Sequence, residues 1–209
     1  MSRRRLTGLA LAVAWGAMVT MGMAWMMAFD ATPGAPGDPP TRWPGEARLA
    51  RAAAGYTLVM AAHPRCPCTR ASLEELAIVM AESKGRLTAQ VLFFAPEDAT
   101  SAAGDPAWWD TDLWRRAATI PAVTPVIDRG GRLRAIFGAE TSGSVAVYDA
   151  SGRLRFHGGV TSARGRTGPN DGRLSLISLI ETGQAADMTP VYGCPLRTPT
   201  TTMADAGRP

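Results

Sequence analysis

The stretch TLVMAAHPRCPCTRASLEEL, residues 57–76, decides how this chain folds. With Tyr56 before it, the first part is a short apolar run carrying the β-formers Thr57 and Val59, and predicts a buried strand. Beyond it, Leu73, Leu76, Ala77 and Met80 fall at i, i+3, i+4 and i+7, one face of a helix that stops near Gly85. Two of the three cysteines, Cys66 and Cys68, sit at the junction with only Pro67 between them.

A helix start carries unpaired backbone N–H groups and partial positive charge, and both stabilise a thiolate. The thiolate is the form of sulfur that attacks disulfides and binds metals. Arg65 and Arg70 flank the pair and are expected to push the same way. His63, three residues before Cys66, offers an imidazole to take a thiol proton or to add a nitrogen to a metal site. Two cysteines around a proline at a chain turn point to reactive or metal-binding sulfur and away from a buried filler.

Outward from this junction, charge narrows the partners. The chain has 22 basic and 18 acidic residues, but three of the arginines are Arg3, Arg4 and Arg5, and no Asp or Glu precedes residue 30. Without those three the balance is nearly neutral, so no basic face is implied and nucleic acid is excluded as the expected partner. Residues 6–29 carry no charge. As a helix of about 1.5 Å rise per residue they reach about 36 Å, enough to cross a hydrocarbon core of about 30 Å. A cleaved signal peptide has a shorter apolar region and a small-x-small site, which MMAFDATPG does not offer. The expectation is an uncleaved single-pass anchor at residues 1–29. Basic residues precede it, so its N-terminus faces the cytoplasm and the rest lies on the exported, periplasmic side of the inner membrane.

Residues 30–46, DATPGAPGDPPTRWPGE, hold five prolines and three glycines, and 30–45 read as a spacer between membrane and domain. A domain is expected over 46–196, followed by a loose, disordered tail at 197–209. Within the domain, LTAQVLFFAP (87–96) reads as a second buried strand. Asp105 and Pro106 read as the start of a helix that includes Trp108, Trp109 and Trp114. VTPVID (123–128) reads as a short strand, and 143–160 as a hairpin turning around Ala150-Ser151-Gly152. A last helix runs from Asn170 or Asp171 to Glu181, with Leu174, Ile177 and Ile180 or Leu179 inward. This order makes an α/β fold with a central mixed sheet covered on both faces.

The strand, the Pro-Cys turn at a helix start and this order of elements resemble the thioredoxin fold. More closely, they resemble the membrane-tethered, exported thioredoxin-like proteins of the TlpA/ResA and RedB types. The resemblance covers about residues 46 to 184. Residues 57–76 match the strand, active-site loop and first helix. VIDRGGRLRAIFGAETSGSVAVYDASGRLRFHGGV (126–160) matches the short helix, FGA-type segment and final hairpin. It implies a thioredoxin-like three-layer fold after one N-terminal transmembrane helix, and thiol–disulfide exchange on exported protein thiols or a redox partner protein, with no cofactor. The chain departs from that family in two places. Cys-x-x-Cys is replaced by Cys66-Pro67-Cys68, which leaves Arg65 or Thr69 where a second sulfur belongs. The loop that carries a cis-proline in the family is Glu140-Thr141-Ser142-Gly143-Ser144 here, so Thr141 and Ser142 stand beside the site without a proline.

Two functions remain open on these residues. In the first, Cys66 attacks, being farther from the helix body and less covered, and Cys68 or Cys194 resolves the mixed disulfide. A Cys66–Cys68 bridge closes a strained ring through Pro67, and strained bridges are easily reduced. Cys194, after the last helix, is the other partner, either resolving or tying down the C-terminus. In the second, Cys66, Cys68 and His63 hold copper(I) in a carrier, because soft thiolates select that ion.

Overall fold

The computed structural model describes residues 3–97, 99 and 108–196, in two compact units, one ending at Thr32 and one beginning at Pro33. The first is a single helix, α1 (Arg3–Ala31). Thr7–Ala31 is long and apolar enough to cross a membrane. Among its described side chains, Leu11, Trp15, Met18 and Trp25 are exposed.

The second unit is built on five strands: β1 (Tyr56–Ala62), β2 (Leu87–Ala95), β3 (Val123–Arg129), β4 (Val145–Asp149) and β5 (Leu154–Gly158), in the order β3-β2-β1-β4-β5. β1, β2 and β3 are parallel, while β4 runs antiparallel to both β1 and β5. β1 is central, and six of its seven residues are buried. That explains its continuous apolar run, since a strand covered on both faces loses the polar alternation. The hairpin turn is organised by Asp149, whose Oδ1 accepts from the Ser151 and Arg153 amides at 2.9 and 3.1 Å.

One sheet face is covered by α2 (Pro67–Glu82), α3 (Asp112–Thr119) and α5 (Asp171–Thr182). Leu58, Met60, Val91 and Phe93 of the strands meet Leu73, Leu76 and Val79 of α2 and Leu176 and Leu179 of α5 in the main core. Leu73, Leu76 and Met80 face inward as the periodicity predicts. In α5 the phase differs, because Leu174 is 57% exposed and Leu176 takes the inward place. The cause is Gly172, whose added Cβ would lie 1.9 Å from the Gly159 carbonyl oxygen. That approach turns positions 172, 176, 179 and 180 to the sheet.

Asp105 and Pro106 lie outside the described residues. The helix that follows begins at Asp112, with Thr111 as N-cap accepting from the Trp114 amide at 3.3 Å. Trp108 and Trp109 therefore sit in a turn before the helix and do not share it with Trp114.

The opposite face carries α4 (Arg132–Ile136), capped by both Asp128 oxygens, and an extended strap made from the expected spacer. The segment read as a spacer, 30–45, joins the second unit from Pro33 onward. Asp38 N donates to Gly138 O at 2.9 Å, Trp43 N to Gly152 O at 2.7 Å, and Tyr148 Oη to Pro40 O at 3.0 Å. Trp43 packs edge-on against Phe137 and Tyr148, with centroids 5.3 Å away in each case. A proline-rich segment suits this position, because it fixes an extended backbone with few donors to satisfy. The expected tail, 197–209, lies outside the described residues.

Candidate functional site

At the C-terminal end of β1 the chain leaves the sheet through His63-Pro64-Arg65 and enters α2 at Pro67, with Cys66 as N-cap. Pro67 occupies the first turn, where its missing N–H costs nothing. The turn is fixed from within: Cys66 N donates to His63 O at 3.1 Å, and Thr69 Oγ1 to the same carbonyl at 3.2 Å. Ser142 fixes it from outside. Its hydroxyl accepts the His63 N–H at 3.0 Å and pairs with the buried Thr69 hydroxyl at 2.9 Å.

Cys194 arrives from the far end of the chain. After α5, residues 187–189 run beside β5, with Thr189 N donating to His157 O at 3.2 Å. The segment then crosses to the loop before β4. There Ser142 N donates to Cys194 O at 2.9 Å and Leu196 N to Glu140 O at 2.8 Å, an antiparallel bridge centred on Thr141 and Pro195. Gly193 makes the approach possible, since a Cβ there would lie 1.9 Å from Ser142 O. Buried Leu196 anchors the segment against Ala61 and Ala139. Thr141 and Ser142 thus serve as the dock for the C-terminal segment, and Thr141 Oγ1 also donates to Ala35 O of the strap at 2.9 Å.

The result is a cluster of three free sulfurs. Cys66 Sγ and Cys194 Sγ are 3.3 Å apart, and with Cys68 all three lie within 4.8 Å of one another. Cys66 is 4% exposed, while Cys68 and Cys194 are partly exposed. This reverses the expectation that Cys66 is the less covered sulfur. As N-cap it turns under the loop and is roofed by the 193–196 segment, whereas Cys68 lies one residue into the helix.

The electrostatics separate the three thiols. Burial pushes the Cys66 thiol up, but donation from the Cys194 thiol and from the amides of Thr69, Cys68 and Cys194 outweighs it, so its pKa falls below the ordinary value. Burial and then the Cys66 charge raise Cys68, partly offset by a hydrogen bond with Cys194 and then by Arg164. Burial, followed by interaction with Cys66, pushes Cys194 up to about 12. Hydrogen bonding to the charged form thus selects Cys66 as the thiolate.

The flanking cations do less than the sequence suggests. Arg65 stacks over Trp108, 3.9 Å from the ring centroid. Arg70 is exposed and pairs with Asp112 of α3. The arginine that acts on the cluster is Arg164, from a glycine-rich loop that carried no functional signal in the sequence; it reaches Gly193 O as well. His63 also stands apart. Its Nδ1 accepts from Arg65 N at 3.2 Å and its ring stacks on Phe94. Burial and then Arg65 lower its pKa, which keeps the imidazole neutral. Among the described residues the third atom beside Cys66 and Cys68 is the Cys194 sulfur, and His63 is not in the group.

Strand order, the parallel β1–α2–β2 unit, the terminal hairpin and α5, with cysteine capping α2, form a thioredoxin-like fold that carries a three-thiol site. No protein-family model matches the chain, and no curated protein matches it. Solved structures do. A hypothetical protein from Sinorhizobium meliloti 1021 is 20% identical, with a TM-score of 0.50 over 78% of this chain and 93% of the other. An uncharacterised conserved protein from Geobacillus kaustophilus is 14% identical, with a TM-score of 0.53 over 82% and 94%. MTB DsbF, solved in mixed oxidised and reduced forms, is 15% identical, with a TM-score of 0.41 over 60% and 81%. At these identities the likeness is one of fold, and the chemistry rests on the site itself.

Proposed function

We propose that this chain is a thiol–disulfide oxidoreductase whose redox couple is Cys66 and Cys194, held by α1 in the membrane with its folded domain on the exported side. The reading rests on one observation, the 3.3 Å approach of a stabilised thiolate to a second thiol. The orientation is supported by Arg3, Arg4 and Arg5 before an apolar helix. Export also suits the chemistry, because disulfides persist in oxidising compartments.

The burial pattern assigns the roles. In the oxidised protein, an incoming protein thiolate attacks Cys194 Sγ, the more accessible sulfur. A partner–Cys194 disulfide forms, the Cys66–Cys194 bond breaks, and its electron pair leaves on Cys66, where the backbone amides of Thr69, Cys68 and Cys194 stabilise the anion. A low-pKa thiol leaves faster, so Cys66 is the better leaving group. A second thiolate of the partner then attacks the partner's own sulfur, closes its disulfide and expels Cys194, which takes a proton. The partner loses two electrons and the protein gains them. A more oxidising disulfide recharges the couple by taking up the two electrons and leaving as two thiols.

Mild oxidation of the full chain with oxidised glutathione, followed by non-reducing peptide mapping, tests this. The expected product is a Cys66–Cys194 bridge with Cys68 free to alkylate. A Cys66–Cys68 bridge, or three alkylatable thiols throughout, refutes it.

A further inference from the structure

The redox couple uses two sulfurs, and the third has no part in it. Cys68 neither attacks nor leaves, yet it lies within 4.8 Å of both Cys66 Sγ and Cys194 Sγ. A thiol with no duty in exchange is a liability beside a reactive disulfide, since it can shuffle the bridge. Its placement calls for a use of all three sulfurs at once.

A metal with metal–sulfur bonds of about 2.3 Å in a trigonal plane sets its ligand atoms about 4.0 Å apart. The separations here, 3.3 Å for one pair and at most 4.8 Å for the others, bracket that spacing. The donor set also selects the ion. Zinc takes four ligands in structural sites, and among the described residues no His, Asp or Glu joins the three sulfurs. Three thiolates without a hard ligand suit a soft, low-coordinate monovalent ion, copper(I). Three thiolates around one positive charge leave the site anionic. Arg164, whose guanidinium donates to Gly193 O beside Cys194, supplies a compensating cation.

We infer that the reduced chain binds one copper(I) through Cys66, Cys68 and Cys194, and that closing the Cys66–Cys194 disulfide abolishes the site. This rests on the redox couple proposed above for its gating, although binding by the reduced thiols stands independently of it. The exchange balances. A disulfide of the partner accepts two electrons from Cys66 and Cys194 and leaves as two thiols, with protons from the medium. The copper is released still as copper(I), and Cys68 alone does not retain it. Cys68 is thus a metal ligand, and its loss should spare the redox pair.

The test uses the full-length protein in detergent micelles, reduced with a phosphine and titrated with copper(I) against bicinchoninate. The reduced wild type should take one copper per chain, with three sulfur scatterers in X-ray absorption. Cys68→Ser should weaken binding at least about 100-fold, because changes outside the ligand sphere alone cost 10–100-fold, while still forming the Cys66–Cys194 bridge at the wild-type rate. That retained bridge also shows that the variant folds. The fully oxidised wild type should lose copper binding to the same extent. The inference is overturned by a reduced protein that cannot compete with the chelator, by Cys68→Ser binding as tightly as wild type, or by a two-sulfur spectrum. It is overturned also by unchanged binding in protein mapped as bridged. If mapping finds no Cys66–Cys194 bridge under oxidation, the oxidoreductase reading and the gating fail together, and the reduced-state titration alone decides whether the copper site stands.

Discussion

Oxidation should stabilise this protein by an amount that identifies the bridge. Cys66 and Cys194 are 128 residues apart in sequence. Closing a loop of that length removes unfolded-chain entropy worth about 5 kcal/mol, whereas a ring between Cys66 and Cys68 is worth roughly 1.5 kcal/mol. For a chain of this size, about 5 kcal/mol corresponds to a rise in Tm of about 10–20 °C. The stabilised Cys66 thiolate works against this gain, because it favours the reduced folded state. Its folded pKa lies below the unfolded value, so that contribution is present above the unfolded pKa and is lost as pH falls through the folded one. The oxidised-minus-reduced difference should therefore grow as pH falls through the folded Cys66 pKa, approaching the full loop value below it. The assay is guanidinium unfolding of the full chain in micelles, oxidised and reduced, at several pH values. Cys68→Ser should keep the gain and Cys194→Ser should lose it. A gain of under about 2 kcal/mol in acid that survives Cys194→Ser would refute the long-range couple.

Other perturbations separate dock from chemistry. Gly193→Val drives a side chain into Ser142 O and should dislodge the 193–196 segment, slowing bridge formation at least tenfold in stopped-flow oxidation; an unchanged rate would show that the dock is dispensable. Ser142→Ala strands the His63 N–H and removes the Thr69–Ser142 hydroxyl pair, and should cost about 1–3 kcal/mol in chemical unfolding while leaving the mapped bridge the same. Glu75 is fully buried in α2 and holds Arg173 at 2.8 Å, the Gly168 amide at 2.6 Å and Asn170 Nδ2 at 3.2 Å. Glu75→Ala should cost about 3–5 kcal/mol, since it leaves Arg173 without its buried partner. A loss below 1 kcal/mol by the same unfolding assay would show that the loop before α5 is held by other contacts.

Much of this architecture follows from local rules. The uncharged run fixes α1, and the apolar run from Tyr56 followed by spaced leucines fixes the β1–α2 junction. The Asp-x-x-Gly turn fixes the hairpin, whose Asp149 carboxylate does bind the Ser151 and Arg153 amides. Each of these is decided within a few residues, by side-chain period, capping donors or turn chemistry. Local reading erred where a distant backbone intervened. Leu174 belongs to an inward stripe by spacing alone, but the approach of Gly172 to Gly159 rotates α5 away from it. Residues 33–44 have the composition of a spacer, and only the aromatic pocket of Phe137 and Tyr148 that receives Trp43 makes them a strap.

For the site, the sequence by itself determined that Cys66 and Cys68 stand at a helix start, because the strand before and the helix after are written in their own residues. Only the tertiary structure decided which sulfur is buried, which cation acts and which partner Cys66 meets. Residues 184–196 have no hydrophobic period, and their hydrogen bonds reach residues such as Gly34, Glu140, Ser142, His157 and Gly159, across gaps that no spacing rule measures. Cys194 reaches Cys66 because a glycine lets two backbones touch and a buried leucine holds them there, and both are properties of the packed chain.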